Sequence, residues 1–359
     1  MKITFFIGGL IGGGAERVTC NLSNFLITRG HEIQILTMSD SDSYPLEIEV
    51  MRQSLLNKEE RSNIVVNFIK RYSRLKKFLR SDNSDAYVVM LPITTIFLLL
   101  LRKYIKAPVI ASERCYPAVL SQITQRLLLL LAKRADAWVF QTIQQKEWYG
   151  KAILSTDVKI IPNAINENFV QLPYNGERLK EIVAVGRLCP QKNYELLVYA
   201  FARIAAIFPE YKIVIYGEGA KRNELEDIIN KHNLQGRILM PGYEKDISSK
   251  LKKACLYVLS SNYEGIPNTL MEAMALGVPA IATDCDGGGS RMLIENGVNG
   301  ILVPKGDEKA LAVAMERMLS DRDFAEKCGR EAHKICERLA PEKIYGEWES
   351  FIQNVVAEK

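Results

Sequence analysis

Histidine is scarce in this chain: three occur among 359 residues, at His31, His232 and His333, far apart and with no carboxylate pattern beside them. A metal site built from side chains is therefore not expected, and neither is a metal cofactor. The seven cysteines (20, 115, 189, 255, 285, 328 and 336) stand singly, with no C-x-x-C and an odd total. That spacing predicts reduced thiols, mostly filling the core, rather than a disulfide framework or zinc site. No apolar run approaches the ~20 residues that a spanning helix needs. Near the start, only Lys2 precedes the apolar stretch Ile3 to Ile11, and glycines break that stretch, so no signal peptide is read and a cytoplasmic location is expected. Repeats at solenoid period and low-complexity tracts are also missing.

What is present is an ordinary globular composition, 48% hydrophobic and 25% charged, in a chain long enough for two domains. The net charge of +5 is unevenly spread. Between Ile64 and Arg134 there are thirteen Lys or Arg and three acids (Asp82, Asp85, Glu113), about +10, which leaves about −5 for the rest. The same stretch holds the apolar runs Ile96 to Leu101 and Leu127 to Ala132. Two readings fit. One is buried elements with solvated basic flanks; the other is a domain that rests on an anionic membrane surface or grips an acidic acceptor. Nucleic acid is disfavoured as a partner, because no aromatic-rich binding motif accompanies the charge.

The hydrophobic pattern alternates between short strands and helices. Ile3 to Ile7 reads as a buried parallel strand, Ala15 to Arg29 as a helix and Glu32 to Met38 as the second strand, a βαβ unit opening a doubly wound sheet. Further strands are predicted at Ala86 to Leu91, Val109 to Ser112, Ala137 to Gln141 and Lys159 to Pro162. A polar, aperiodic stretch follows, and the linker is placed at 166–178. The rhythm then restarts, with strands at Glu181 to Gly186, Lys212 to Tyr216, Arg237 to Met240, Leu256 to Leu259, Pro279 to Thr283 and Gly300 to Val303. Two helices, Asp323 to Arg338 and Pro341 to Ala357, complete the chain. The expected organisation is an α/β fold with one Rossmann-like domain at 1–165, a second at 179–340, and a last helix at 341–359.

Four motifs fall where strands end. Gly12-Gly13-Gly14-Ala15-Glu16-Arg17 lies between the first strand and helix, where glycines let a ligand approach the backbone and the helix start offers unpaired N–H groups. A tight turn would also explain it. Asp40, ending the second strand, raises a dehydrogenase reading, but the glycines fit G-x-G-x-x-G poorly. In Gly186-Arg187-Leu188-Cys189-Pro190-Gln191-Lys192-Asn193, two cations five residues apart leave a strand at its carboxyl edge, where they can neutralise a diphosphate. Tyr216-Gly217-Glu218-Gly219 places glycines around an acid, suited to a nucleoside or to a plain turn. The last motif, Glu264-Gly265-Ile266-Pro267-Asn268-Thr269-Leu270-Met271-Glu272, sets one acid on a loop and a second about one turn into a helix that Pro267 is placed to open. Acids at those heights suit the hydroxyls of a sugar and a ribose.

With these motifs read, the sequence resembles the retaining family 4 glycosyltransferases of the GT-B fold, of the kind that build bacterial surface glycans. The resemblance runs over nearly the whole chain through GGGAER, GRLCPQKN, YGEG, EGIPNTLMEAMALGVPAIATD and GGGSRMLIENGVNGILVP. It implies two facing Rossmann-like domains, a nucleotide sugar held mainly by the second, a final helix crossing back to the first, and retention of anomeric configuration without a metal. Under it, Arg187 and Lys192 hold the donor diphosphate, Glu264 the transferred sugar and Glu272 the ribose. Gly13 and Gly14 approach from the first domain, while Gly217, Glu218, Gly265, Ile266, Asn268 and Thr269 complete the donor site. One departure matters. Many relatives follow a Ser-Glu pair with His, whereas Ser112-Glu113 is followed here by Arg114, a guanidinium unsuited to act as a base. Glu113 and Arg114 are kept as catalytic candidates, with Arg114 expected on an acceptor phosphate or on the donor.

The expected activity is transfer of a hexose or N-acetylhexosamine, from a UDP-sugar, to a lipid-linked or surface-glycan acceptor at the inner leaflet of the cell membrane. A synthase with a soluble acceptor, an NAD-dependent oxidoreductase and an inactive partner subunit are the alternatives.

Overall fold

The computed structural model describes residues 1–11, 13–40, 46–47, 49–170, 174 and 176–359. Gly12 of the first motif lies outside them, as do Gln171, Leu172, Pro173 and Asn175 of the expected linker. The chain divides into two compact units, one formed by 1–164 with 342–359 and the other by 165–341.

The first unit runs β1 (Lys2–Ile7), α1 (Gly14–Thr28), β2 (Glu32–Thr37), β3 (Met51–Ser54), α2 (Ile64–Ser81), β4 (Ala86–Met90), α3 (Pro92–Leu100), β5 (Val109–Glu113), α4 (Gln122–Leu131), β6 (Ala137–Phe140), α5 (Ile143–Tyr149) and β7 (Asp157–Ile160). Its sheet has seven parallel strands in the order β3-β2-β1-β4-β5-β6-β7. The central strands are apolar along their length and fully buried, because helices cover both faces of a parallel sheet. β3 was missed from sequence: Met-Arg-Gln-Ser is an edge strand, alternately exposed and half-buried, with no apolar run to announce it.

The second unit runs β8 (Leu179–Val185), α6 (Tyr194–Ile204), β9 (Lys212–Tyr216), α7 (Arg222–Lys231), β10 (Ile238–Gly242), α8 (Ile247–Lys253), β11 (Ala254–Leu259), α9 (Asn268–Ala275), β12 (Ala280–Asp284), α10 (Gly289–Leu293), β13 (Ile301–Pro304), α11 (Glu308–Ser320), α12 (Arg322–His333) and α13 (Ile335–Arg338). Six parallel strands are ordered β10-β9-β8-β11-β12-β13. Leu197, Phe201, Ile213, Ile215, Val258, Ile281, Leu311 and Met315 are among the side chains of its core. The single helix read over Asp323 to Arg338 is two, broken at Lys334, where His333 Nδ1 lies 2.6 Å from the carbonyl of Ala275 in the last turn of α9. α11, which precedes them, was also absent from the two-helix ending expected from sequence.

α14 (Pro341–Ala357) ends the chain and packs in the first unit from Glu342 on. His31 Nε2 meets Glu349 at 2.9 Å, Lys359 meets Asp136 at 2.8 Å, and the Phe25 and Tyr345 rings lie 5.5 Å apart.

Both sheets share the doubly wound order, so each has a switch point at which successive connections leave in opposite directions. In the first it lies between β1 and β4, in the second between β8 and β11. Ligands of open α/β sheets bind outside the carboxyl ends of the strands at such points.

Candidate functional site

The loops leaving β8 and β11 meet at the switch point of the second unit. After β8, Gly186 and Leu188 are tied to the loop after β9 through Gly186 N to Tyr216 O (3.0 Å) and Leu188 N to Glu218 O (2.9 Å). Gly217 is required there: at φ +147 any Cβ would overlap the carbonyl of Gly186. The YGEG motif is therefore explained by the contact of two strand ends. Glu218 itself faces solvent, where Arg222 donates to both its oxygens (2.9 and 2.7 Å) and holds the carboxyl below its ordinary range. Sequence reading did not foresee that partner.

Arg187 and Lys192, expected as a matched pair of cations, have different surroundings. Arg187 is exposed, with no side-chain partner among the described residues. Lys192 is largely buried and donates to Glu264 Oε1 at 2.7 Å, the two side chains being 14% and 9% exposed. Ser261 Oγ donates to the same oxygen at 2.8 Å, and Gln191 Nε2 reaches Oε2 at 3.3 Å. The loops are laced together by backbone as well: Asn262 N donates to Gln191 O (2.8 Å), Ser260 Oγ to Lys192 O (2.8 Å) and Glu264 N to Asp286 O (2.9 Å). Glu264 is thus a fixed carboxylate beside a fixed ammonium. Gln191 and Ser261, which do much of the fixing, were missed: Gln191 pairs across 73 residues, which leaves no local pattern, and Ser261, only three residues before Glu264, looks like an ordinary loop serine.

α9 begins one residue after Pro267, which occupies the N-cap position instead of opening the helix. Asn268 and Thr269 form its first turn and are half-buried, and Gly265 lies on the loop before it. Thr269 Oγ1 is 2.7 Å from the hydroxyl of fully buried Tyr257, so that hydroxyl is already engaged within the fold. Ile266 is buried, and Glu272, a turn into the helix, is buried too. Gly289, the last glycine before Ser290, starts α10 directly against the Glu264 loop: a Cβ there would overlap the carbonyl of Gly265. The glycine run thus lets α10 close on the loop that carries the acid.

In the first unit, Gly13 caps α1 and Gly14 is its first residue, with Arg17 N donating to Gly13 O at 3.1 Å. Asp40 is paired with Arg61 (3.0 Å). Glu113 ends β5 and is buried. Its Oε1 accepts from Arg114 N (3.0 Å), Cys115 N (3.2 Å) and Cys115 Sγ (3.3 Å), and its Oε2 from Tyr149 (2.8 Å). Burial raises its pKa despite those donors. With both oxygens turned inward, Glu113 shapes the loop rather than presenting a carboxylate. Arg114 is buried as well, donating from Nη1 to Asn163 Oδ1 (3.1 Å) and lying 5.1 Å from the Trp348 ring centre.

Among the described residues no group of three or more His, Cys, Asp or Glu is placed to hold a metal ion. No helix is long and apolar enough to cross a membrane.

Two doubly wound parallel domains with a charged, glycine-lined strand-end site define the GT-B class of glycosyltransferase, and solved structures of that class superpose on the whole chain. A sucrose-phosphate synthase from Thermosynechococcus elongatus aligns with TM-score 0.84 at 19% identity, covering 100% of both chains. Anabaena HepE in complex with UDP aligns with TM-score 0.81 at 18% identity, covering 99% of this chain and 100% of that one. These likenesses establish the fold. The chain belongs to the family 4 glycosyltransferases: the family model Glycosyltransferase Family 4 matches residues 12–169, and Glycosyl transferases group 1 matches 165–335. A Campylobacter jejuni enzyme, the GalNAc-α-(1→4)-GalNAc-α-(1→3)-diNAcBac-PP-undecaprenol α-1,4-N-acetyl-D-galactosaminyltransferase, is 28% identical over 99% of both chains. An exopolysaccharide phosphotransferase of Streptomyces coelicolor is 31% identical over 68% of this chain, which spans only 26% of that relative. The chain is a hexosyltransferase, and the oxidoreductase alternative falls.

Proposed function

We propose that this enzyme transfers a hexose or N-acetylhexosamine from a UDP-sugar to a lipid-linked or surface-glycan acceptor, with retention of configuration and without a metal. The observation that carries the donor half is the fixed Lys192–Glu264 pair at the switch point of the six-stranded sheet, with exposed Arg187 on the same loop as Lys192 and the start of α9 close by in sequence. Lys192 has three donors and gives one to Glu264, so two remain for phosphate oxygens. Arg187 adds a planar fork for the second phosphate. Cations held in place before the reaction stabilise the charge that builds on a departing diphosphate, which is the task a divalent ion performs elsewhere. In the step itself, the anomeric C–O bond to the diphosphate breaks and a bond to the acceptor oxygen forms on the same face. The acceptor proton passes to the leaving phosphate oxygen. Glu264 then orients the sugar, and Glu272, with Gly217, Glu218, Gly265, Ile266, Asn268 and Thr269, surrounds the nucleoside. Gly13 and Gly14 supply backbone at the helix start of the first unit.

The acceptor half is supported by the relatives, two of which are named for diphospho-undecaprenol substrates, and by the surface of the first unit. Ile64, Val65 and Ile69 of α2 are exposed on a helix that also carries Lys70, Lys76, Lys77 and Arg80, and Ile123 and Leu130 of α4 are exposed, each three residues before a basic residue, Arg126 and Lys133. Apolar side chains interleaved with lysine and arginine suit peripheral attachment to an anionic leaflet, at ~1 kcal/mol per basic residue near the surface.

The experiment is to offer labelled UDP-hexoses and UDP-N-acetylhexosamines, in EDTA, together with polyprenyl-diphosphate oligosaccharides on anionic vesicles. The reading predicts turnover with an α product from an α donor. Turnover confined to small soluble acceptors would remove the membrane half, and dependence on an added divalent ion would remove the metal-free half.

A further inference from the structure

Buried polar atoms without a hydrogen-bond partner are rare in folded proteins, and each requires a reason. Ten such side-chain atoms occur among the described residues, and two of them, Nε and Nη2, belong to the one guanidinium of Arg114; a third is Nε1 of Trp348, whose ring lies against Arg114. Arg114 is 8% exposed and has no carboxylate within ion-pair distance among the described residues, since the oxygens of neighbouring Glu113 are taken by two backbone amides, Cys115 and Tyr149. A buried guanidinium without a counter-charge is costly. Nevertheless the fold holds it firmly. Its Nη1 donates to Asn163, which also accepts from Gln141 at 2.7 Å, and the cation lies over the Trp348 ring. Arg114, Gln141 and Asn163 follow the carboxyl ends of β5, β6 and β7, the sheet edge at which α/β domains bind ligands.

The geometry of the unsatisfied atoms narrows the ligand. Nε and Nη2 share one edge of the guanidinium, and their N–H bonds run parallel, spaced for two oxygens of one oxyanion. The third nitrogen, on another edge, is the one already used. Two parallel N–H donors on a charged edge match a group that offers paired acceptor oxygens.

We propose that Arg114, supported by Asn163 and Trp348, forms an oxyanion site in the first unit that receives a phosphate group of the acceptor. The existence of the site stands on the buried fork alone; the identity of the anion as acceptor phosphate rests on the reading of the substrate given above. Two measurements keep these apart. First, protein labelled with ¹⁵N-arginine and saturated with UDP is titrated with inorganic pyrophosphate, and separately with glucuronate, while the Arg114 Nε–H resonance is followed. Its assignment comes from its disappearance in Arg114→Lys, which keeps the charge but has no fork. The expected result is a saturable shift with pyrophosphate in the ~1 mM range. No shift with either anion overturns the site; a shift with glucuronate alone overturns the phosphate assignment. Second, Arg114→Lys, checked for folding by its thermal melt, is expected to raise KM for a polyprenyl-diphosphate acceptor on the order of 10- to 100-fold. KM for the UDP-sugar should stay within roughly twofold. Equal changes in both KM values, or in neither, overturn the assignment to the acceptor. If no lipid acceptor is turned over at all, the substrate reading fails while the resonance shift still decides the site.

Discussion

At the end of β8, Lys192 is neutralised by Glu264 at 2.7 Å, with Ser261 and Gln191 completing the acid's bonds. At the end of β5, Arg114 is just as well buried but leans on neutral Asn163 and the face of Trp348, while the adjacent acid turns the other way. Both edges belong to parallel sheets wound in the same order. The difference teaches what each edge is ready to do. A matched pair is stable as it stands and offers its remaining donors at little cost. An unmatched guanidinium is an unfinished interaction, and the fold keeps it in place for a ligand that brings the missing charge.

Four changes break or sharpen that contrast. The largest effect is expected from Lys192→Met, which removes a cation from the departing diphosphate and strands Glu264. A loss of ~10²–10³ in kcat is anticipated from removing one such donor. Stability should fall by about 3–5 kcal/mol, the cost of leaving one partner of a buried pair alone. Denaturant unfolding of Lys192→Met beside Lys192→Met/Glu264→Gln separates the two effects: the double variant should regain much of the stability and none of the activity.

Next is Gly289→Ala. Its Cβ overlaps the Gly265 carbonyl, so the Glu264 loop must move, at about 1–3 kcal/mol for overpacking. A lowered melting temperature together with a raised donor KM is the expected signature, whereas a Gly306→Ala control, at φ +74 but with open space around the Cβ, should lower stability without touching KM.

A smaller effect concerns Glu113. Its pKa is raised in the folded state by burial above the ordinary value of 4.5, so the folded protein favours the protonated acid. The stability this contributes is complete below about pH 4.5 and is lost as the pH rises through the folded-state pKa. Melting curves between pH 4 and 8 should therefore converge for wild type and Glu113→Gln at the acid end, apart from a constant offset, and the gap should move in favour of the glutamine variant as pH increases. Parallel curves would show that the buried acid does not titrate differently from the unfolded one. The smallest change is expected for Tyr257→Phe, which removes one hydrogen bond to Thr269 at the start of α9, at about 0.5–1.5 kcal/mol with little change in kcat.

Much of the fold could be read from the sequence, and for a single reason: strands of a parallel sheet covered on both faces are apolar runs, and β1, β4, β5, β6, β9 and β11 are of that kind. Where burial is one-sided the signal fades. β3 pairs with β2 at the edge of the sheet, carries Arg52 and Gln53, and adds one hydroxyl contact, Ser54 Oγ to Thr37 Oγ1 at 2.8 Å. The break between α12 and α13 has no glycine or proline to mark it, only an anchorage on α9 that is distant in sequence. The same boundary runs through the site. The residue types at strand ends were legible, and Arg187, Lys192 and Glu264 do fall together on neighbouring loops. Their division of labour was not, because whether a lysine meets a phosphate or a glutamate depends on residues seventy positions away. Likewise Arg114 could be singled out from its neighbours in sequence, but its partners Asn163 and Trp348 arrive from β7's end and from α14.

The account rests on the loop after β8 gripping a diphosphate, and calorimetric titration of UDP against wild type, Arg187→Met, Lys192→Met and the double variant tests it most directly. Each single change should weaken UDP at least 10-fold, as expected for the loss of a charge-assisted bond of about 1.5–3 kcal/mol, and the double change should bring binding close to the limit of detection. Wild-type affinity in the double variant would contradict the account.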